Sequence, residues 1–145
     1  PIERLRKVDL VIVNGVEADC EENEFSMAVE GDVLVNLVTK EQKLLSEFKG
    51  CSCHALAGIG NPKRFFNILE KEQLAIEAHA FPDHHQFLVD DISFNDDKPI
   101  LMTEKDAVKC LAFASEKHWY LPIKAKPEQP FIDKLFTLIK EKTRG

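Results

Sequence analysis

The sequence predicts an α/β fold, because short apolar runs of strand length alternate with longer segments whose apolar residues recur on one helical face. Polar loops bearing glycine or proline separate the two kinds of segment. Parallel neighbours need crossover helices on the sheet faces, so the expected form is a three-layer α/β/α sandwich with a mostly parallel sheet. A two-stranded β-hairpin linker is expected beside it.

The run VDLVIV at 8–13, closed by Asn14 and Gly15, reads as a buried strand suited to a central parallel sheet. Residues 25–29 and 33–38 read as two short strands joined by Glu30, Gly31 and Asp32, a longer-loop hairpin that serves as a connector. A polar helical turn is expected over 40–47. The small-residue strand 53–57 runs into Gly58-Ile59-Gly60-Asn61-Pro62, where Pro62 suits the first turn of a helix because its missing N–H is not needed there. Phe65, Phe66, Ile68 and Leu69 form the apolar stripe of that helix, to about Glu72.

Residues 74–81 read as a strand that ends at Pro82 and Asp83, before His84 and His85. A short strand at 99–102 leads to Thr103, which caps a helix beginning Glu104-Lys105-Asp106 and turning Val108, Leu111 and Ala112 inward. A strand at 119–123 follows. The last helix starts after Pro127, with Pro130 in its first turn and Phe131, Ile132, Leu135, Phe136 and Ile139 on one side.

Composition narrows the function. In 145 residues, 25 acidic against 19 basic side chains leave a charge of −6, which repels phosphate backbones. The basic clusters (Arg4, Arg6 and Lys7; Lys63 and Arg64; Lys140, Lys142 and Arg144) are small, so no nucleic-acid partner is expected. No apolar run approaches the ~18 residues of a membrane span, and no charged n-region followed by an apolar h-region opens these residues, so secretion by this segment is not expected. The start at Pro1, a few residues before a strand, suggests a piece of a longer protein. Cys20, Cys51, Cys53 and Cys110 read as reduced thiols of a cytosolic protein. Cys51, Cys53 and His54 lie close together, but C-x-C-H without a second ligand pair is a weak zinc signal, and no metal is expected there.

Ligands of such folds collect outside the carboxyl ends of strands, where three polar loops fall. Asp83-His84-His85 places imidazoles, which move protons near neutrality, after an aspartate able to set a tautomer; it reads equally as a strand cap beside an exposed histidine. Gly58, Gly60, Asn61 and Pro62 form either a tight turn or an anion site at a helix start. Thr103, Lys105 and Asp106 form a helix cap in which Lys105 is a candidate partner for phosphate or carboxylate. The phosphate-binding pattern G-x(4)-G-K-[ST] is absent from these residues.

The strings AGIGNPKRFF (57–66), AFPDHHQF (80–87) and ILMTEKDAVKC (100–110), in that order and spacing, resemble the C-terminal half of the tetraacyldisaccharide 4'-kinase family. RLRKVDLVIVNG (4–15) and HWYLPIK (118–124) are similar to it too. The resemblance implies a kinase that uses ATP and Mg²⁺ to phosphorylate the 4'-hydroxyl of a lipid A disaccharide precursor, giving lipid IVA at the cytoplasmic face of the bacterial inner membrane. It implies two α/β/α domains, with 1–24 ending the N-terminal P-loop domain, 25–38 the linker and 39–145 the C-terminal domain. The P-loop then lies outside this chain, which alone is expected to be inactive. His84 is similar to the family's active-site histidine, with Asp83 beside it. Two other readings stand: a non-catalytic substrate-side or lid module, and a DHH-type metal phosphoesterase, which needs further aspartate motifs that Asp90-Asp91 and Asp96-Asp97 supply poorly.

Overall fold

The computed structural model describes residues 7–14 and 23–143. They fall into two compact units, one from residues up to Glu30 together with Lys124 onward, the other Gly31–Ile123.

The larger unit holds a six-stranded sheet in the order β4-β3-β8-β7-β5-β6. Its strands are β3 (Val33–Asn36), β4 (Gln42–Leu44), β5 (Ser52–Ala57), β6 (Ala75–Ala80), β7 (Ile100–Thr103) and β8 (His118–Leu121). β6, β5, β7 and β8 run parallel, whereas β3 is antiparallel to both β8 and β4. The mostly parallel sheet is therefore present.

Side chains along a strand alternate between faces, and β5 divides accordingly. Cys53, Ala55 and Ala57 pack with Leu101, Trp119 and Leu121 and with Phe65, Phe66 and Leu69 of helix α1 (Pro62–Lys71). Leu56 packs on the other side with Ile100, Met102 and with Ala107 and Cys110 of helix α2 (Glu104–Cys110). One helix thus covers each face, which makes the three layers. Phe65 and Leu69 are almost wholly buried, each removing enough apolar area to stabilise the fold by about 1.5–3 kcal/mol.

Two local expectations fail in this unit. The polar helical turn at 40–47 is instead β4 followed by a 3-10 turn, Leu45–Phe48. Lys40 adopts a left-handed φ of 63°, which reverses the chain so that β4 pairs back on β3, and Leu45 and Phe48 enter the core. In α2 the inward residues are Asp106, Ala107 and Cys110, while Val108 and Leu111 are exposed. A polar residue occupies the first inward position, so apolar periodicity points to the wrong stripe.

The smaller unit contains β1 (Val11–Asn14), β2 (Glu24–Glu30), β9 (Lys124–Pro127) and helix α3 (Gln129–Thr143). β1 pairs parallel with β2, and β2 pairs antiparallel with β9, from Met27 opposite Pro127 to Glu30 opposite Lys124. The expected hairpin over 25–38 does not form, because its two strands belong to different sheets. Gly31 is a close-approach glycine: a Cβ there would lie 2.9 Å from the Pro122 carbonyl oxygen. The strand at 8–13 likewise joins this small sheet and not the central one. The boundary at 39–145 also shifts, since β9 and α3 associate with β2; Phe25 meets Phe131 edge-on at 5.7 Å, and the Ser26 N–H donates to Glu128 Oε1 at 2.8 Å.

Cys51, Cys53 and Cys110 are free thiols, and burial pushes the pKa of Cys53 and of Cys110 up to about 11. Cys20, Gly15, Arg4, Arg6 and Arg144 lie outside the described residues. No described helix is long and apolar enough to cross a membrane.

Candidate active site

β6, β5 and β7 are adjacent and parallel, so the loops leaving their carboxyl ends emerge at one edge of the sheet. These are the loops that carry the predicted site residues, and hydrogen bonds tie them together. Asp106 accepts from the Gly58 N–H at 2.9 Å and from the Thr103 hydroxyl at 2.7 Å, both on Oδ2, and its other oxygen meets Lys109 Nζ at 2.9 Å. Thr103 is also the N-cap of α2, accepting from the Asp106 N–H at 3.2 Å. A Cβ on Gly58 would press on Asp106 Oδ1 and the Phe87 ring, each 3.2 Å away, so the loop needs glycine to approach so closely.

The loop after β6 joins the same edge through Lys105, whose ammonium meets Asp83 Oδ1 at 3.2 Å. Gly60 faces this aspartate, with a hypothetical Cβ 3.7 Å from Asp83 Oδ2. Asn61 occupies the N-cap position of α1 without a side-chain capping bond, and Pro62 begins the helix. The hydrogen bond from Lys105, aided by the His84 ring and the His84 N–H, holds the Asp83 carboxyl below the usual carboxylate range.

The two histidines separate sharply. His84 takes a left-handed φ of 62°, and its side chain is 79% exposed, with Nε2 3.7 Å from Asp83 Oδ2. His85 turns inward, where Nε2 lies 3.0 Å from Asp91 Oδ2 and the ring stacks on Phe81 and meets Phe87 edge-on. His85 is thus a packed partner, and His84 is the imidazole left exposed to solvent. Thr103 and Asp106, predicted near the substrate, are buried and tie the loops together from beneath.

Sequence reasoning missed Lys109, which pairs with Asp106 and lies over the Phe87 ring at 5.4 Å; its spacing three residues after Asp106 was the available signal. It also assigned Asp91 no partner. Asp91 instead accepts from the Leu88 N–H at 2.8 Å, and that bond, then His85, lowers its pKa. A carboxyl whose folded pKa is depressed stabilises the fold above its unfolded value, and loses that contribution as pH falls through the folded value. Asp91→Asn is therefore expected to flatten the fall in stability with acidification below about pH 4, measured by urea unfolding across pH 2–6.

The family model for tetraacyldisaccharide-1-P 4'-kinase, LpxK, matches residues 1–140. A tetraacyldisaccharide 4'-kinase of Ectopseudomonas mendocina is 47% identical over 134 residues, covering 92% of this chain and 40% of the relative. The enzyme of that name from Nitrosococcus oceani is 39% identical over 141 residues, covering 97% of this chain and 41% of its own length. The chain thus spans about 40% of the length of these curated relatives. Among solved structures, LpxK of Aquifex aeolicus, crystallised in complex with ATP, superposes with a TM-score of 0.65 at 24% identity, over 97% of this chain and 44% of that one, which shows the shared fold. With a family match over nearly the whole sequence, and the motif-bearing loops gathered at one sheet edge, the chain belongs to the tetraacyldisaccharide-1-P 4'-kinase family.

Proposed function

We propose that this chain is the portion of a lipid A 4'-kinase that presents His84 to the acceptor, and that the nucleotide is held by residues outside it. The supporting observation is the family match together with the single exposed imidazole at the loop cluster. The whole enzyme transfers the γ-phosphoryl of ATP, with Mg²⁺, to the 4'-hydroxyl of tetraacyldisaccharide 1-phosphate at the cytoplasmic face of the inner membrane.

The described loops do not fit a nucleotide's β and γ phosphates. A phosphate cradle needs several free backbone N–H groups and a lysine, yet the Gly58 N–H is already donated to Asp106 and Lys105 is paired with Asp83. The P-loop is therefore assigned to the remaining part of the relatives' length. Asp83, kept ionised by the hydrogen bond from Lys105, lies beside the exposed His84 ring, so His84 is placed to manage a proton near the acceptor hydroxyl with a carboxylate at hand to orient it. The test is phosphate transfer from labelled ATP with Mg²⁺ to the lipid acceptor. The protein of the relatives' full length is expected to turn over and the 145-residue chain alone to show none. Transfer by the isolated chain, or none by the longer protein, would overturn the proposal.

A further inference from the structure

Away from these loops, three ligand-bearing side chains converge on the α2 face of the sheet. His54 of β5 stands directly across from Glu77 of β6, and His79 opposes Leu56 two positions further on. The pleat repeat of two puts His54, Glu77 and His79 on one face. His54 Nδ1 lies 3.0 Å from His79 Nε2 and 3.5 Å from Glu77 Oε2, and the three donor atoms lie within 4.8 Å of one another. A tetrahedral zinc ion with ligand bonds of about 2.0–2.1 Å spaces its ligand atoms about 3.3 Å apart. The first two separations are already within a few tenths of an ångström of that spacing, and the third closes by a turn of the half-exposed Glu77 side chain, whose Oε2 faces the histidines.

The surroundings orient these groups. His54 is buried, and Nε2 lies 3.2 Å from Asp96 Oδ2. Facing a carboxylate, Nε2 carries the proton and Nδ1 presents its lone pair toward His79. Phe94 stacks on the His54 ring with centroids 3.7 Å apart and planes 11° from parallel, which fixes the ring plane. Lys98 bonds Glu77 Oε1 and Asp96 Oδ2, so Oε2 is the Glu77 oxygen left facing the histidines. The nearby thiols take no part: Cys53 packs on the opposite face with α1, and Cys51 precedes the strand.

We propose that His54, Glu77 and His79 bind one borderline divalent transition ion of the zinc class, with Asp96 as the orienting partner of His54 and a fourth position open to water. Two imidazoles and one carboxylate suit such an ion, and the nitrogen donors disfavour Mg²⁺ and Ca²⁺. The ion fastens edge strand β6 to β5 and holds the 94–98 segment against the sheet.

The test is calorimetric titration of the chelator-stripped chain with zinc sulfate. One ion per chain is expected, with millimolar Mg²⁺ failing to compete. His79→Gln and Glu77→Gln, chosen because both positions are partly exposed and the folds of the variants are checked by circular dichroism, should each weaken binding at least ~10-fold, and Asp96→Asn by ~10–100-fold. Cys51→Ser should bind as the unaltered chain does. Absence of stoichiometric zinc, displacement by Mg²⁺, or unaltered affinity in folded His79→Gln would overturn the site and leave a proton shared between the two rings.

Discussion

Replacing His84 by asparagine in the full-length kinase is expected to lower kcat by ~10²–10⁴-fold, the usual worth of general acid–base assistance. The KM for ATP should move far less, since a proton-managing group acts mainly in the transition state. Asparagine is the informative choice because position 84 has a φ of 62°, and asparagine is among the residues that tolerate that left-handed region. Alanine would add a backbone penalty to the loss of the ring. The side chain is 79% exposed, so the melting temperature should stay within about a degree or two of the parent, as for surface substitutions worth ~0.5 kcal/mol or less. His85→Asn is the contrast. It loses the Asp91 contact and the stacking on Phe81, so it should lower the melting temperature and leave turnover per folded molecule closer to the parent. If His84→Asn kept kcat within a few-fold while His85→Asn abolished it, the assignment of the two neighbours would be reversed.

Parts of the architecture were legible because local chemistry and the global fold agree. Pro62 at a helix start, Thr103 as a cap and the small-residue strand ending just before Gly58 each announce a strand-to-helix junction. The two junctions they mark, β5 to α1 and β7 to α2, imply parallel strands with their loops on one edge. What was not legible depends on pairing at a distance. Glu30-Gly31-Asp32 has turn composition, yet Gly31 serves close packing against Leu121 and Pro122, and β2 finds its partner in β9, a KAKP segment without apolar alternation. The contrast in exposure between His84 and His85 also required three dimensions, because it goes with a left-handed φ at His84, whose ring faces solvent while that of His85 lies against Phe81 and Phe87. The His54, Glu77 and His79 group escaped notice for the same reason. His54 and Glu77 lie 23 positions apart in the chain (77 − 54), and only the β5–β6 register brings them opposite each other.

The largest loss of stability is expected from Asp106→Ala. Its carboxylate is wholly buried and joins three elements, accepting from Gly58 in the loop after β5, from Thr103 at the end of β7 and from Lys109 in α2. Removing it strands the buried Gly58 N–H and hydroxyl of Thr103 and leaves a largely covered ammonium without its counter-charge. Breaking a buried ion pair by deleting one partner typically costs about 3–5 kcal/mol. Lys109 retains 22% side-chain exposure and is able to swing toward water, which places the expectation at the lower end, about 3 kcal/mol. Asp106→Asn keeps an acceptor for the Gly58 N–H and the Thr103 hydroxyl, which share Oδ2, by turning its amide group toward the Lys109 ammonium, so it should fall between the alanine variant and the parent. The single tryptophan, Trp119, sits in β8 of the same compact unit. Its fluorescence during urea unfolding therefore reports this unit even if the two units melt separately. A cost below about 1 kcal/mol for Asp106→Ala, near that of one ordinary hydrogen bond, would show that the loops are held by backbone and packing without the carboxylate. In the full-length kinase the same variant should also lower turnover of the molecules that remain folded, because Lys105, which holds Asp83 beside His84, precedes Asp106 in the first turn of α2.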